Sequence, residues 1–171
     1  MIAKRWYWLG LVGSVALIAI AYFYFQLHKG LAPCPLCMFQ RACLAGVAFF
    51  CLLGVITKPK EIGSKVISFF CLIFSIAGLA IVGRQVWLQY LPADQVPECG
   101  PGLDFMLQSF PVMEMLESVF KGSGECAEVQ WVFLGLSMPE WMIGIFLVMT
   151  IISLRLLITK KRNYFSGALG R

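Results

Sequence analysis

The sequence predicts an all-α membrane protein, a bundle of four transmembrane helices forming a single domain over residues 1–171. The chain is 60% hydrophobic and 13% charged, whereas soluble domains carry about 25% charged residues. Its apolar residues also collect in four long runs, and a helix needs roughly 17–25 such residues to cross the hydrocarbon core of a bilayer. The remaining polar chain is too short to cover four such helices in water.

The four runs give the predicted spans in order, at about residues 6–25, 38–56, 66–82 and 141–158. The first run follows a basic start like that of a signal peptide, but it is longer than the apolar region of such peptides. We therefore interpret it as a retained helix. Aromatic residues at its two ends, Trp6-Tyr7-Trp8 and Tyr22–Phe25, are typical of the belts at membrane–water interfaces.

Charge orients the predicted bundle. An even number of spans places both termini on one side, and that side collects ten of the fourteen basic residues. Basic residues in short loops favour the cytoplasmic side of a membrane. We therefore expect cytoplasmic termini and two outer loops at residues 26–37 and 83–140. The net charge of +5 follows from this topology and needs no nucleic-acid partner.

The second outer loop begins with Arg84–Tyr90, which we expect to continue the third helix past the membrane surface. An extended part and a helical part follow. Three prolines and two glycines surround Cys99 in LPADQVPECGPG, and these residues interrupt helices. In PVMEMLESVF, residues 111–120, apolar and acidic side chains alternate at helical spacing. We expect a short amphipathic helix there, lying on the membrane surface or packed against the bundle. Pro139 is then expected to start the fourth helix.

The seven cysteines fall into two groups. Disulfides persist in oxidising compartments, so the outer loops hold the candidates for pairing, Cys34, Cys37, Cys99 and Cys126. Inside a span a thiol serves as a small apolar side chain, which is the role expected for Cys43, Cys51 and Cys71.

Cys34 and Cys37 form a Cys-x-x-Cys motif at the start of the second predicted helix. A disulfide across two residues constrains almost nothing, whereas this motif is a common means of lowering a thiol pKa. The helix spans the membrane only if it begins near Cys37, so the helix dipole would favour a thiolate there. Arg41 lies on the same face, one turn further on. An arginine inside a span is a functional candidate, although snorkelling to the headgroups would also explain it.

Three kinds of function remain open from the residues alone. The cysteines could serve a redox enzyme, a soft-metal site that uses Cys34, Cys37 and Met38, or a non-catalytic bundle whose disulfides only staple its loops. A Cys99–Cys126 bond by itself would suit a staple, worth about 3–4 kcal/mol on the chain-entropy model. Zinc is disfavoured because it usually takes four ligands and the chain has one histidine. We expect a redox enzyme without a resident metal.

Two segments point to a family. The chain reads CPLCMFQR before its second helix and SGECAEVQWVFLGLSMPEW before its fourth. Together with Cys99 in the long loop, these segments closely resemble the disulfide bond formation protein B (DsbB) family, inner-membrane thiol oxidases of Gram-negative bacteria. The resemblance runs from the first helix to the fourth. It implies a multi-pass protein of the bacterial inner membrane that generates disulfides de novo.

The resemblance implies a relay of thiol–disulfide exchanges. A reduced periplasmic DsbA-type oxidase would attack Cys99 of a Cys99–Cys126 disulfide. The freed Cys126 would attack Cys34, and Cys37 would leave as a thiolate. Electrons would pass to ubiquinone, or to menaquinone under anaerobic conditions, bound non-covalently with a transient adduct at Cys37. Such an acceptor is required because DsbA is among the strongest dithiol oxidants, at about −120 mV.

The same resemblance implies a quinone-binding set. Arg41 would polarise a quinone carbonyl. Met138 and Trp141 match family positions near the quinone, and Trp131 would complete the set by packing against the thiolate. An interfacial cluster of aromatic and methionine side chains would explain these three residues equally. Some family members carry a histidine just past the third helix, where Gln85 lies here. Its amide can donate to a carbonyl but cannot shuttle protons.

Overall fold

The computed structural model describes residues 2–31, 33–57, 59–92, 124–129 and 131–158. Its long helices are α1 (Ile2–Ala19), continued by a π-helical segment (Ile20–His28), then α2 (Pro35–Thr57), α3 (Glu61–Gln89) and α5 (Met138–Ile158). Before α5 come the short α4 (Gly124–Ala127) and a hairpin of β1 (Val132–Phe133) and β2 (Leu136–Ser137). The described residues hold four helices long and apolar enough to cross a membrane, which confirms the predicted four-helix membrane bundle.

The outer surface of this bundle is apolar, as contact with lipid requires. Large apolar side chains are more than half exposed on each long helix, for example Leu9, Phe49, Ile62 and Val148. Polar side chains, in contrast, are buried between the helices, among them Ser14, Gln40, Ser64, Ser68, Ser75, Gln85 and Ser153. This distribution suits a multi-pass membrane protein, in which lipid replaces water as the outer solvent.

The central helix is α3. It packs along both α2 and α5, while α1 packs along α2 and touches α5 only sparsely. Close approach between α3 and α5 depends on Gly78, because the fully buried ring of Phe146 occupies the space that a Cβ atom would need there. Small residues allow helices to approach in this way inside membranes, where van der Waals contact drives association.

Tyr7 joins α1 to α3 and corrects a prediction. We expected it in an interfacial aromatic belt, but it is 2% exposed. Its hydroxyl lies 2.9 Å from Ser64 Oγ and 3.0 Å from Ser68 Oγ, and it donates to the Ser64 carbonyl oxygen at 3.1 Å. The phenol turns inward because α3 satisfies its hydrogen bonds, and because Gly54 leaves room for its ring.

The helices extend beyond the apolar runs, so the predicted loop at 83–140 is shorter at both ends. α3 continues to Gln89, and α5 begins at Met138 because its first turn is capped. Glu140 Oε2 accepts the Ser137 N–H at 2.5 Å, as in a capping box. Tyr90 donates to the other Glu140 oxygen at 2.8 Å, which ties the end of α3 to the start of α5. The helix predicted at 111–120 lies outside the described residues.

The hairpin before α5 was not predicted. Its strands pair antiparallel, with Val132 opposite Ser137 and Phe133 opposite Leu136. Leu134 and Gly135 make the turn with φ angles of 53° and 82°. Positive φ at both central residues is the condition for the type of two-residue turn that matches the twist of a hairpin. This turn aims Phe133 and Trp131 back toward the bundle.

A glycine substitution tests the α3–α5 packing. Gly78→Ala should lower the free energy of unfolding by about 1–3 kcal/mol, because the new methyl group overlaps the Phe146 ring. Gly83→Ala is the matched control on the same helix, since no described atom outside the neighbouring helical backbone lies within 4 Å of its Cβ position; it should be neutral or stabilising by up to about 1 kcal/mol. Thermal unfolding in detergent, followed by circular dichroism, measures both. Equal melting temperatures for the two variants would contradict this packing.

Candidate active site

The Cys-x-x-Cys motif forms the first turn of α2. Pro35 is the first helical residue, where a missing N–H costs nothing. Cys34 precedes it as the cap: its carbonyl oxygen accepts the Met38 N–H at 3.1 Å, and its Sγ accepts the Cys37 N–H at 3.4 Å. The two sulfurs therefore lie together, 2.9 Å apart, at the positive end of the helix dipole.

Gln85 supplies the side-chain donors to these sulfurs. Its Nε2 lies 3.3 Å from Cys37 Sγ and 3.5 Å from Cys34 Sγ. Gln40 fixes the orientation of that amide, because Gln40 Nε2 donates to Gln85 Oε1 at 2.6 Å. Both glutamines are buried. A hydrogen bond to sulfur favours the thiolate over the thiol, so this pair prepares the site to hold negative charge.

Cys126 brings a third sulfur to the motif. It is 1% exposed and packs with Cys34, Leu36 and Leu88. Hydrogen bonding with Cys126 and with Cys37, together with burial, raises the pKa of the Cys34 thiol well above its usual range. Cys34 is therefore held as the protonated member of the cluster. Cys99, the fourth predicted catalytic cysteine, lies outside the described residues.

Arg41 is anchored to the first helix. Its Nη1 donates to Gln26 Oε1 at 3.0 Å, and its Nη2 donates to the Ala21 carbonyl oxygen at 3.0 Å. Ala21 lies in the π-helical segment, and wide helical turns of this kind are frequent at functional sites. The guanidinium is thus held inside the bundle instead of snorkelling. Its hydrogen bonds go to the π-helical continuation of α1, and the side-chain amide that donates to the sulfurs is that of Gln85.

A cavity of about 340 Å³ opens beside the sulfurs. All five side chains that the family resemblance assigned to quinone binding line it, Arg41, Gln85, Trp131, Met138 and Trp141, and so do Cys34 and Cys37. Most of the remaining lining is apolar, including Leu17, Ile20, Phe25 and Ile145. The arrangement is a mainly apolar chamber with a dithiol, an amide and a guanidinium on its wall.

Aromatic rings close one side of this cavity. Trp131 stacks on Phe133 at 5.6 Å between ring centroids and meets Phe25 edge-on at 5.0 Å. Trp141 Nε1 donates to the Phe133 carbonyl oxygen at 3.2 Å, which attaches the hairpin to α5. Phe25 is 8% exposed, so it belongs to the site and not to the interfacial belt that the sequence suggested.

Sequence reasoning missed two residues that organise this site. Gln40 orients Gln85, and Gln26 holds Arg41. A signal was available for Gln40, since an uncharged polar residue stands inside an apolar run three positions after Cys37. No such signal exists for Gln26, because it lies at the end of its run, where polar residues are ordinary.

Comparisons with known proteins agree with this geometry. A family model described as "Disulfide bond formation protein DsbB" matches residues 3–156. A "Disulfide bond formation protein B" of Nitrosococcus oceani is 48% identical over 154 residues, 90% of this chain and 90% of the relative. The protein of the same name from Hahella chejuensis is 48% identical over 146 residues, 84% and 87% of the two chains. One from Stutzerimonas stutzeri is 45% identical over 143 residues.

The match therefore covers the helices, the Cys-x-x-Cys motif, Cys126 and the hairpin together. The family model covers nearly the whole chain, and the relatives have almost the same length. Both findings assign the chain to the same family. This chain belongs to the DsbB family of disulfide bond formation proteins.

Proposed function

We propose that this protein is a thiol oxidase that reoxidises a periplasmic DsbA-type dithiol oxidase through Cys99 and passes the electrons to a membrane quinone. The family assignment already makes it a disulfide-forming oxidoreductase. The observation that carries the finer proposal is the cluster of Cys34, Cys37 and Cys126, of which Cys34 and Cys37 line an apolar cavity. Three sulfurs in contact allow a disulfide to move from one pair to another.

The position of Cys126 supports the exchange. A Cys126 thiolate, released when the partner oxidase takes Cys99, would attack Cys34 Sγ, against which it already packs. A Cys34–Cys126 bond would form, the Cys34–Cys37 bond would break, and Cys37 would leave with the electron pair. In the reduced pair the raised pKa of the Cys34 thiol leaves the negative charge to Cys37, so attack on Cys34 with Cys37 as the leaving group is favoured.

The surroundings of Cys37 suit a leaving thiolate. The Gln85 amide lies 3.3 Å from its sulfur, and the motif sits at the N-terminus of α2. The same sulfur faces the cavity. Negative charge produced at Cys37 would therefore be stabilised where an electron acceptor could approach it.

The cavity fits a quinone head group in size and chemistry. Small-molecule sites commonly measure about 300–1,000 Å³ and combine apolar walls with a few placed polar groups. Here Arg41 provides N–H donors for a carbonyl oxygen, the Gln85 amide is directed at the sulfurs, and Trp131, Trp141 and Met138 provide flat or polarisable surfaces. A bound ubiquinone or menaquinone supplies an acceptor for two electrons and two protons. Arg41 orients it, and the aromatic wall limits access of water to the sulfurs.

Redox thermodynamics favours such an acceptor. DsbA has a potential of about −120 mV, and each 30 mV uphill costs about 1.4 kcal/mol for a two-electron couple. The cytosolic glutathione couple lies at roughly −220 mV or lower, so it cannot regenerate a dithiol oxidase of this strength. A respiratory quinone can accept the electrons.

We also propose an inner-membrane location with both termini in the cytoplasm. Ten of the fourteen basic residues fall on the side of the termini and of the α2–α3 turn. A membrane-impermeant maleimide applied to intact spheroplasts should therefore fail to label a cysteine placed at Lys60, and should label it after lysis. Labelling before lysis would reverse the orientation and move the dithiol to the cytoplasmic side.

The proposal is tested by oxidation of a reduced DsbA-type protein in the presence of the purified chain and a short-chain ubiquinone. One quinone should be consumed for each disulfide formed. Cys37→Ser should lower the rate at least a hundredfold, because the electron-donating thiol is absent. Cys43→Ser is the matched control, since this buried cysteine lies in a separate cluster with Leu44 and Phe146. Turnover at the wild-type rate by Cys37→Ser would refute the assignment.

Two substitutions should separate the roles of Arg41 and Gln85. Arg41→Lys should raise the quinone concentration at half-saturation about tenfold or more, because a charge-assisted hydrogen bond is worth about 1.5–3 kcal/mol and lysine lacks the planar fork.

Gln85→Leu should slow iodoacetamide alkylation of reduced Cys37 about tenfold, because both sulfur-directed N–H donors are lost.

The controls follow from the same geometry. Arg41→Lys should leave the alkylation rate of Cys37 unchanged, and Gln89→Leu should do the same, since Gln89 accepts from Ser137 one turn beyond Gln85. Peptide mass spectrometry of the alkylated chain gives the rate at each cysteine. An unchanged half-saturation point for Arg41→Lys would return Arg41 to a structural role in joining α1 and α2.

A further inference from the structure

A second cavity, of about 570 Å³, lies along the sparse contact between α1 and α5. It extends toward the end of the bundle that holds the α2–α3 turn, where Trp6, Tyr7 and Leu156 line it. Only a small part of its described lining is polar. It shares Leu17, Trp141 and Ile145 with the cavity beside Cys37, so the two chambers adjoin.

Two cysteines line this second cavity, one from α2 and one from α3. Cys51 Sγ and Cys71 Sγ are 3.9 Å apart, within hydrogen-bonding distance for sulfur. They are 5% and 3% exposed and pack with Tyr7, Val47 and Ile67. Helix α1 passes close above them, since a Cβ atom at Gly10 would lie 2.8 Å from Cys51 Sγ.

The arrangement differs from that of a cysteine that only fills space. Cys43, the third cysteine within a span, packs with Leu44, Val82 and Phe146, and it is not among the described residues that line either cavity. Cys51 and Cys71 have a sulfur neighbour and line an apolar chamber between α1 and α5. A disulfide needs an S–S distance of about 2.05 Å, so the two sulfurs must move closer together before a bond can form.

The Cys34–Cys37 bond cannot oxidise this pair directly. Cys51 lies fourteen positions after Cys37 on α2, which is about 21 Å along the helix axis at a rise of 1.5 Å per residue. Thiol–disulfide exchange requires contact between sulfurs. The oxidant must therefore be a diffusible molecule, and an apolar one, because the chamber beside Cys51 and Cys71 is apolar.

We propose that Cys51 and Cys71 are a second redox-active dithiol, which a lipid-dissolved quinone in the adjoining cavity oxidises to a disulfide between α2 and α3. One S–S bond forms and two S–H bonds break. Two electrons and two protons pass to the quinone, which leaves as quinol. The choice of oxidant rests on the proposed function, since it is the same class of acceptor.

The test uses the full chain with Cys34, Cys37, Cys99 and Cys126 each replaced by serine, which leaves three of the seven cysteines. The variant is reduced, placed in lipid nanodiscs and exposed to a short-chain ubiquinone under argon. After acid quenching and denaturation, free thiols are counted by the gel shift of a polyethylene glycol maleimide. We expect three adducts before quinone and one after it, with Cys43 as the remaining thiol.

A matched control removes one member of the pair. With Cys51→Ser added to the same background, two adducts should be found both before and after quinone. Three adducts retained in the parent variant, or loss of Cys43 in place of the pair, would overturn the proposal. A parent variant that does not fold is replaced by the wild-type chain, in which peptide mass spectrometry should detect Cys51 and Cys71 linked only after quinone.

The wild-type chain also separates this inference from the proposed function. Oxidation of a reduced DsbA-type protein is followed in parallel with the Cys51–Cys71 link in the same samples. Quinone-dependent oxidation of the partner without the link would refute the second dithiol alone. Formation of the link without oxidation of the partner would refute the proposed function alone.

Discussion

The hydrogen bond from the Cys37 N–H to the Cys34 sulfur fixes where α2 begins, and the geometry of the site follows from that start. Pro35 suits the first helical position because its missing N–H needs no partner there, and Cys34 caps the same turn. The cap holds both sulfurs at the end of the helix. The helical repeat then directs Gln40 to the Gln85 amide and Arg41 to α1. A shift of the helix start by one residue would separate all of these groups.

Burial of polar groups, more than burial of apolar ones, distinguishes the interior of this bundle. Lipid solvates the outer apolar surface, so specificity between helices comes from hydrogen bonds and close packing. The central helix α3 carries hydrogen-bonding side chains near both ends. Ser64 and Ser68 contact the Tyr7 hydroxyl at one end, and Gln85 contacts the dithiol at the other. The same helix therefore holds α1 in place through Tyr7 and positions the amide that contacts the two sulfurs at the start of α2.

Hydropathy alone was sufficient to predict the four spans, because a helix that crosses a bilayer must have a minimum length and an apolar composition. The continuation of α3 to Gln89, past its apolar run, was also predicted from the sequence. α5 begins at Met138, one residue before the predicted start at Pro139, and Glu140 caps that first turn. The motif residues could be named from the sequence, but the pairing of Gln40 with Gln85 and of Cys51 with Cys71 joins different helices and has no local signature. The hairpin was missed because two-residue strands show no periodicity, and Leu134 is an uncommon residue at positive φ.

Because α1 and α5 touch only sparsely, a gap remains between them on the side of the second cavity. A hydrophobic reactant that enters through this gap comes directly from the lipid and never passes through water. Its supply is set by its mole fraction among the lipids and by diffusion in two dimensions. Its aqueous solubility then has no bearing on the rate. Saturation would shift with the ratio of lipid to reactant at constant bulk concentration, as expected for an enzyme whose solvent on one side is the membrane itself.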